Sequence, residues 1–440
     1  MVARPALVLL LLAATLLAEE QDGLARDVDG YLAAEKASWW ERSTLTGDWG
    51  GLRTRLAEKG ITLDMALIGV VQGVADGGRE DALLPPNRRD DVGALGFLGL
   101  LFQVDTEKAG LWPGGFLALR VEGRVGDSVL QQSGTIVPVN TLAILPSTNI
   151  DEDVIDISAL NFTQFLSERF GVVLGLINGF DSDYTPFAGA TRGQSQFLNL
   201  AFAGAPLFVG VPTRALGGAL VYLPSERIES ILVVESTRET AGRNPFTNLG
   251  GITVNNETYF QFALANRPAG AMVGLLLSWD EFTALDQDPR LVVPGGGEPT
   301  TEARTWAVYA NFFWYLGATE ERGWSPLAPA DAPGGWGVFF RLMFSDADPD
   351  PVRWSTSIGV GGNVSFRPQD TFGIGFFYLG MSNEDIITSL RVDDEFGFEA
   401  WYNLALGGFL HLTFDLQVVE PGLPRSDTAV VLALRLHADF

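Results

Sequence analysis

Three charged residues alternate with apolar ones in the segment Gly115–Gly126, which reads GFLALRVEGRVG. Arg120, Glu122 and Arg124 are spaced two residues apart, so a β-strand would place all three side chains on one face. Guanidinium groups donate hydrogen bonds and carboxylates accept them, so this trio could hold a neutral molecule that is rich in hydroxyl groups. The same trio could instead form an ion-pair ladder that stiffens a sheet, and the sequence leaves both interpretations open.

Other reactive chemistry has little support in the sequence. The chain has no cysteine, and its only histidines are His411 and His437. Both are expected to face inward on neighbouring strands, but a metal site built on two histidines would need further ligands. No G-x-S-x-G motif accompanies Asp415 or Asp439 near these histidines, and no glycine loop is placed to cradle a phosphate. We therefore predict that the protein is not an enzyme and uses neither a metal nor a cofactor.

The C-terminal segment indicates the kind of sheet that must position the charged trio. In residues 428–440, TAVVLALRLHADF, Leu434 and Leu436 alternate with Arg435 and His437, and the chain ends on Phe440. This alternation predicts a strand with one apolar and one polar face, which a soluble β-sandwich could also contain. A terminal strand that alternates up to a C-terminal Phe resembles the closing strand of bacterial outer-membrane barrels. That resemblance implies the barrel-assembly machinery as a partner of this strand.

The first residues and the charge balance favour an exported protein. Arg4, the apolar run of residues 6–17 and Ala18 form a signal-peptide pattern with cleavage after residue 18. This run is too short for the membrane anchor that is the alternative. The formal net charge of −25 excludes a nucleic-acid-binding surface, which requires a basic face. We expect the acids to crowd the solvated loops, where they could also bind divalent cations at a lipopolysaccharide surface.

Sixteen segments between residues 61 and 440 have strand character, and their connections support a barrel. Long connections such as 127–154 and 179–214 alternate with short ones such as 168–171 and 407–408. This alternation is typical of outer-membrane barrels, whose external loops are long and whose periplasmic turns are short. Two connections fit this pattern poorly: residues 317–335 are long where a turn is expected, and residues 346–353 are short where a loop is expected.

The predicted organisation has three parts. Residues 1–18 form a signal peptide, residues 19–60 a periplasmic N-terminal segment, and residues 61–440 an all-β, transmembrane antiparallel β-barrel of sixteen strands. Within the second part, Asp48 is expected to cap a short helix over residues 49–59 that ends at Gly60. An amphipathic helix in this position must pack on something, and the periplasmic mouth of the barrel is the nearest surface.

Five stretches of the chain resemble the carbohydrate-selective porins of the OprB type. They are residues 45–61 (LTGDWGGLRTRLAEKGI), 175–199, 215–224 (ALGGALVYLP), 363–376 with its turn Arg367-Pro368-x-Asp370, and 399–417. The resemblance implies a sixteen-stranded barrel in the bacterial outer membrane that admits glucose and related small sugars. The chain departs from the family in being almost without lysine, so its preferred sugar could differ.

A barrel of sixteen strands encloses water, so selection requires a constriction. We expect the loop of residues 179–214 to fold into the lumen and to narrow it together with charged wall residues. The candidate sugar-binding residues are Arg120, Glu122, Arg124, Asp105, Asp64, Asp181, Asp183, Tyr184 and Arg192. The expected contacts outside the lumen are outer-membrane lipid and lipopolysaccharide, and the sequence leaves open whether the barrel is a monomer or a homotrimer.

Three other functions compete with the sugar channel. The acidic composition is compatible with a general or cation-preferring diffusion porin that has no sugar selectivity. A structural barrel that anchors the outer membrane is a second alternative, and an exported, soluble β-sandwich with a binding role is a third.

Overall fold

The computed structural model describes residue 40 and residues 42–80, 91–150, 152–189, 194–293, 296–318 and 334–440. The predicted signal peptide, part of the predicted N-terminal segment and the candidate Arg192 lie outside the described residues. Sixteen strands form one closed, antiparallel barrel in which each strand pairs with its neighbours along the chain. The predicted fold class is confirmed.

The strands are numbered here in chain order. They are β1 (Ile61–Arg79), β2 (Val92–Asp105), β3 (Gly115–Gly126), β4 (Val154–Ser167), β5 (Phe170–Asn178), β6 (Arg214–Ser225), β7 (Ile228–Glu235), β8 (Ile252–Leu264), β9 (Arg267–Trp279), β10 (Phe282–Thr283), β11 (Thr301–Glu302), β12 (Thr305–Ala318), β13 (Gly335–Ser345), β14 (Val352–Val364), β15 (Arg367–Met381), β16 (Glu395–Gly407), β17 (Leu410–Glu420) and β18 (Ser426–Asp439). Strands β10 and β11 form a separate hairpin in the connection between β9 and β12.

Alternation along the strands separates a lipid-facing surface from the interior. In β18, Leu434 and Leu436 are exposed on the outside, whereas Arg435 and His437 are buried inside the barrel. In β3, Arg120, Glu122 and Arg124 all point inward, as the sequence predicts. Because side chains alternate across a pleated strand, a single register fixes the side on which each of these residues lies.

The barrel closes where its first and last strands meet. β1 pairs with β18 from Ala66 opposite Asp439 to Arg79 opposite Ser426. The C-terminal residue continues this ladder, because the backbone N–H of Phe440 donates to the carbonyl oxygen of Met65 over 2.8 Å. Closure removes both sheet edges, so no barrel strand presents an unpaired row of peptide groups to lipid.

Connections of different length emerge at the two ends of the barrel. Residues 168–169, 226–227, 265–266 and 408–409 form tight turns at one end, while residues 127–153, 179–213 and 280–304 form long connections at the other. The two connections that fit the sequence pattern poorly hide no additional barrel strand among the described residues, since β12 pairs directly with β13 and β13 with β14. Residues 319–333 lie outside the described residues.

The segment before β1 lies against the barrel end that carries the tight turns. Helix α1 (Leu52–Ala57) is shorter than the predicted helix, and its N-cap is Gly51 rather than Asp48. The reason is the backbone of Trp49, Gly50 and Gly51, whose φ angles of 50°, 67° and 83° turn the chain before the helix begins. The Asp48 Oδ1 atom nevertheless accepts hydrogen bonds from the backbone N–H and the hydroxyl of Thr54.

Three more short helices lie in the long connections: α2 (Leu130–Ser133), α3 (Leu200–Ala203) and α4 (Asp385–Leu390). Among the described residues, no helix combines the length and the apolar character needed to cross a bilayer.

Arg53 fastens α1 to the closure of the barrel. Its Nη2 atom donates to the main-chain oxygens of Leu63 and Phe440, each over 2.7 Å, and lies 3.7 Å from a carboxylate oxygen of Asp64. Arg53 and Asp64 are both buried. One side chain therefore contacts the first strand and the C-terminus of the last strand at once.

We expect Arg53→Ala to lower the free energy of unfolding by about 3 kcal/mol, because it removes the positive charge beside a buried carboxylate. Urea unfolding of the detergent-refolded protein, followed by tryptophan fluorescence, measures this change. Arg55→Ala on the exposed face of α1 is the matched control and should leave the unfolding midpoint unchanged. Equal midpoints for the two variants would show that Arg53 does not stabilise the closure.

Candidate functional site

The described residues of the loop 179–213, namely 179–189 and 194–213, fold into the barrel and pack on one side of its inner wall. Three of its phenylalanines, Phe187, Phe197 and Phe202, are buried. Their rings contact aromatic residues that point inward from β12, β13 and β15. The ring centroids are 4.6 Å apart for Phe187 and Tyr315, 5.4 Å for Phe197 and Phe339, and 5.5 Å for Phe202 and Phe377. The interior is therefore partly filled by an apolar core between the loop and this wall.

Glycines on the inner face of the wall make room for these rings. A Cβ atom at Gly337, Gly373 or Gly375 would come within 2.6, 2.9 and 2.4 Å, respectively, of atoms of Phe187, Phe197 and Phe202. Any larger residue would push the phenylalanine rings out of these sockets. The glycine-rich composition of β13 and β15 thus has a local purpose, which is to let a loop approach the sheet closely.

Charged wall residues hold the backbone of the inserted loop. The carboxylate of Glu399, on β16, accepts hydrogen bonds from the N–H groups of Leu198 (2.6 Å) and Asn199 (3.0 Å). Arg435, on β18, donates from Nη2 to the carbonyl oxygen of Gln196 over 2.8 Å. These side chains are buried, so their charges are satisfied by main-chain groups of the loop rather than by water.

Two of the candidate residues, Arg124 and Arg120, contact loops through their guanidinium groups. Arg124 is 1% exposed and donates to carbonyl oxygens of residues 127–153, among them Ser147 (3.0 Å) and Asn149 (2.5 Å). Arg120 is fully buried, and its Nη1 atom lies 2.7 and 2.5 Å from the two carboxylate oxygens of Asp181. Glu122 is also fully buried between them on the same strand face. The charged face of β3 therefore anchors two loops.

Asp183 is the second anchor of the inserted loop. Its carboxylate forms a buried ion pair with Arg341 of β13, and it accepts a hydrogen bond from the Nδ2 atom of Asn311 over 2.7 Å. Its backbone N–H donates to the carboxylate of Glu257 on β8 over 3.3 Å. The following residue, Tyr184, is buried, and its carbonyl oxygen accepts a hydrogen bond from Asn311. Asp183 thus ties the loop to three strands of the wall, β8, β12 and β13.

Two candidates lie away from the inserted loop. Asp64 sits beside Arg53 at the barrel end with the tight turns. The carboxylate of Asp105 accepts hydrogen bonds from the N–H groups of Glu107 and Lys108 in the turn after β2. Asp181, Asp183 and Tyr184 therefore lie in the inserted loop, and Arg120 contacts it. Asp64 and Asp105 lie near the barrel end that carries the tight turns.

The space that the loop leaves open lies along β5 to β9. A cavity of about 390 Å³ separates the loop from this wall. Its wall side is largely aliphatic and includes Val173, Val221, Ile231 and Val233, while Asn178, Thr213, Glu235 and Asn255 add polar groups. Ile231 and Val233 keep part of their surface exposed although they point inward. The sequence analysis did not identify this wall. The pattern that could have indicated it is the series of inward apolar residues in β6 and β7, which ends at the acid Glu235.

The two histidines are neighbours on the inner face of the wall. His411 pairs directly with His437 across β17 and β18, and their ring centroids are 6.5 Å apart. The Nδ1 atom of His411 lies 3.0 Å from the side-chain oxygen of Asn403, and His437 lies 3.3 Å from Asp439. No group of three or more His, Cys, Asp or Glu side chains that could hold a metal occurs within the described ranges.

Asp350 clamps the far end of the inserted loop from the short connection of residues 346–351. Its Oδ2 atom accepts hydrogen bonds from the N–H groups of Phe208 (3.1 Å) and Val209 (3.3 Å), and its Oδ1 atom accepts one from Val352 (2.9 Å). Burial, together with a smaller effect of the nearby carboxylate of Asp346, raises the pKa of the Asp350 carboxyl to about 7 although its three backbone N–H donors act to lower it.

This raised pKa predicts a pH-dependent stability. The folded protein takes up a proton at Asp350 near pH 7, whereas the unfolded chain does so only near 3.8. The contribution of Asp350 to stability is therefore fully present below the unfolded value and is lost as the pH rises through about 7. Between these two values, acidification should add roughly 1.4 kcal/mol of unfolding free energy per pH unit from this group. Asp350→Asn should remove that part of the pH dependence in urea titrations, and the exposed Asp427→Asn should retain it.

A sequence model described as "Carbohydrate-selective porin, OprB family" matches residues 89–440. The high-pH structure of Pseudomonas putida OprB superposes with a TM-score of 0.76 at 16% identity, covering 92% of this chain and 100% of that chain. The low-pH structure of the same protein gives a TM-score of 0.54 at 14% identity, covering 91% and 99% of the two chains. These likenesses show a common barrel fold, and no curated protein matches the chain.

Proposed function

The chain belongs to the carbohydrate-selective porin family of the OprB type, and we propose that the sugars it admits pass between the inserted loop and the wall of β5 to β9. It is a sugar-admitting porin of the outer membrane. The observation that supports this path is the cavity of about 390 Å³ between residues 179–213 and that wall. The volume lies at the small end of the range of ligand pockets, which suits monosaccharides such as glucose.

The lining of the cavity suits a sugar because a sugar has two kinds of surface. Ring C–H groups can lie against the aliphatic side chains of Ile231 and Val233, and hydroxyl groups can exchange hydrogen bonds with Asn178, Thr213 and Asn255. Few of these contacts are charge-assisted, so binding remains weak enough for release on the far side. Weak, repeated binding is what permeation requires, because a tight site would block the flow.

We assign the charged trio of β3 a positioning role. Arg120 and Arg124 hold the two loops that narrow the lumen, and Glu122 is buried between them. Asp183 and Tyr184 attach the inserted loop to the wall, and both Asp181 and Asp183 border the cavity although each is paired with an arginine. Of the nine candidates, Asp181 and Asp183 are therefore the ones we expect to touch a passing sugar, and a role for Arg192 stays a prediction.

The surroundings of the barrel follow from this function. We expect the long connections to face the outside of a Gram-negative cell, next to lipopolysaccharide, and the tight turns to face the periplasm. Outer-membrane lipid would cover the apolar outer surface. We also propose that a signal peptide over residues 1–18 is cleaved and that the barrel-assembly machinery inserts the barrel through β18. The proposal leaves open whether the barrel is a monomer or a homotrimer.

Substitution on the two faces of β7 tests the path. Val233 borders the cavity, whereas its neighbour Val234 is exposed on the lipid-facing side. We expect Val233→Trp to reduce glucose uptake into protein-containing liposomes several-fold, because an indole would fill much of the opening. Val234→Trp adds the same side chain to the outside and should leave uptake unchanged. Normal uptake through Val233→Trp would mean that sugars take another route.

The charges along the path predict a preference among ions. Asp181, Asp183, Glu235 and Glu257 line the cavity, and no lysine or arginine does so among the described residues. An acidic lining concentrates cations and repels anions. The reversal potential of single channels across a potassium chloride gradient should therefore show that potassium permeates more readily than chloride. A chloride preference would contradict the assignment of this cavity to the open path.

A further inference from the structure

One acid that borders the cavity has a carboxylate oxygen with no hydrogen-bond donor among the described residues, and what we infer from it rests on the proposed sugar path. Glu235, the last residue of β7, is 7% exposed and lines the cavity. Its buried Oε2 atom accepts no hydrogen bond from any residue in the described part of the chain. A buried carboxylate is costly unless a donor or a cation meets it. Glu235 is therefore built to receive hydrogen bonds from something that enters the cavity.

The other acids that border the cavity are already satisfied. Asp181 is paired with Arg120, and Asp183 with Arg341. The carboxylate of Glu257 accepts hydrogen bonds from the hydroxyl groups of Tyr259 and Tyr309, each over 2.6 Å, as well as from the N–H of Asp183. Glu235 differs from all three, because no group among the described residues donates a hydrogen bond to its Oε2 atom.

The immediate surroundings of Glu235 favour a cationic group over a neutral one. A second carboxylate, that of Glu239, lies close enough to interact with it electrostatically. Among the described residues, the carboxylate of Glu239 accepts hydrogen bonds from the backbone N–H and the hydroxyl of Thr213 and from the backbone N–H of Ala241. Two neighbouring carboxylates create a local negative potential, which a positive charge relieves.

The position of Glu235 is set by the neighbouring strand. Gly217 of β6 lies directly opposite Glu235, and a Cβ atom at this glycine would come within 2.6 Å of the Cβ atom of Glu235. The glycine thus leaves the space in which the glutamate stem lies. Val233 and Ile231 follow on the same strand face at steps of about 7 Å, since alternate residues of a strand are two rises apart.

We propose that Glu235 is a subsite for the ammonium group of an amino sugar. The ammonium would donate charge-assisted hydrogen bonds to the free carboxylate oxygen. The ring of the same molecule would lie against Val233 and Ile231, and its hydroxyl groups would face the polar side of the cavity. The carboxylate, the aliphatic surface and the polar groups occur together on the cavity wall, and an amino sugar carries a complement to each.

Block of single-channel current in planar bilayers tests the proposal at low ionic strength, where charge is least screened. The probes are glucose, glucosamine and N-acetylglucosamine, which share a ring but differ in charge. In the unmodified protein, glucosamine should reach half-block at a concentration about tenfold lower than glucose. N-acetylglucosamine, whose nitrogen is uncharged, should behave like glucose. This comparison needs no variant, so it does not depend on the folding of a mutant.

Two variants locate the effect. Glu235→Gln should abolish the advantage of glucosamine over glucose, whereas Glu235→Asp should retain part of it. Glu281→Gln removes the same charge from an exposed position in the connection after β9 and should retain all of it. Heat-modifiable mobility on gels verifies that each variant has folded into a barrel.

Three results would overturn the proposal. Equal block by glucosamine and glucose in the unmodified protein would remove the ammonium subsite and leave the proposed sugar path intact. Equal half-block by ethanolamine and glucosamine would show that the subsite recognises charge without the sugar ring. Channels whose current no sugar reduces would contradict the proposed path itself, and with it the subsite.

Discussion

A bilayer offers no hydrogen-bond partners to a peptide group, and this constraint governs the architecture described above. Each strand that crosses the membrane must pair on both sides, so the sheet has to close. Closure is made by β1 and β18, and its last hydrogen bond comes from the N–H of Phe440. Arg53 adds a side-chain link at the same seam. The barrel then provides a rigid frame in which inward side chains hold fixed positions.

A frame of sixteen strands is too wide to be filled by wall side chains alone, and the chain fills it with its own connections. The inserted loop occupies the half of the lumen next to β12 to β16, where glycines give its phenylalanines room to pack. A cavity lies next to it, along β5 to β9. The position of the open path is a consequence of where the aromatic sockets are.

This division of the interior explains the use of charge. The sequence pattern associates Arg120 and Arg124 with solute binding. In the structure, Arg124 holds loop backbone and Arg120 holds a loop carboxylate. Buried guanidinium groups suit this work because each can donate several hydrogen bonds in fixed directions. Among the acids that border the cavity, Asp181 and Asp183 pair with arginines and Glu257 accepts hydrogen bonds from tyrosine hydroxyls, whereas the Oε2 atom of Glu235 has no donor among the described residues.

Much of the fold could be predicted from local patterns. Alternation in β3 and β18 assigned inward and outward faces correctly, and the lengths of the connections ordered the two ends of the barrel. The N-terminal helix was predicted too long, because the positive φ angles at Trp49, Gly50 and Gly51 depend on a turn that residue types alone do not specify. The interior of β6 and β7 was not recognised, because its apolar inward residues resemble any buried strand.

The sequence by itself determined the class of barrel and the face on which each strand residue lies, since both follow from a period of two and from the identity of the residues. Which charged residues meet was decided only by the tertiary structure. The partners Arg120 and Asp181 are separated by a complete hairpin, and Arg341 meets Asp183 from the wall on which the inserted loop packs. Contacts of this kind depend on how a loop folds back inside a closed sheet, and no local periodicity encodes that path.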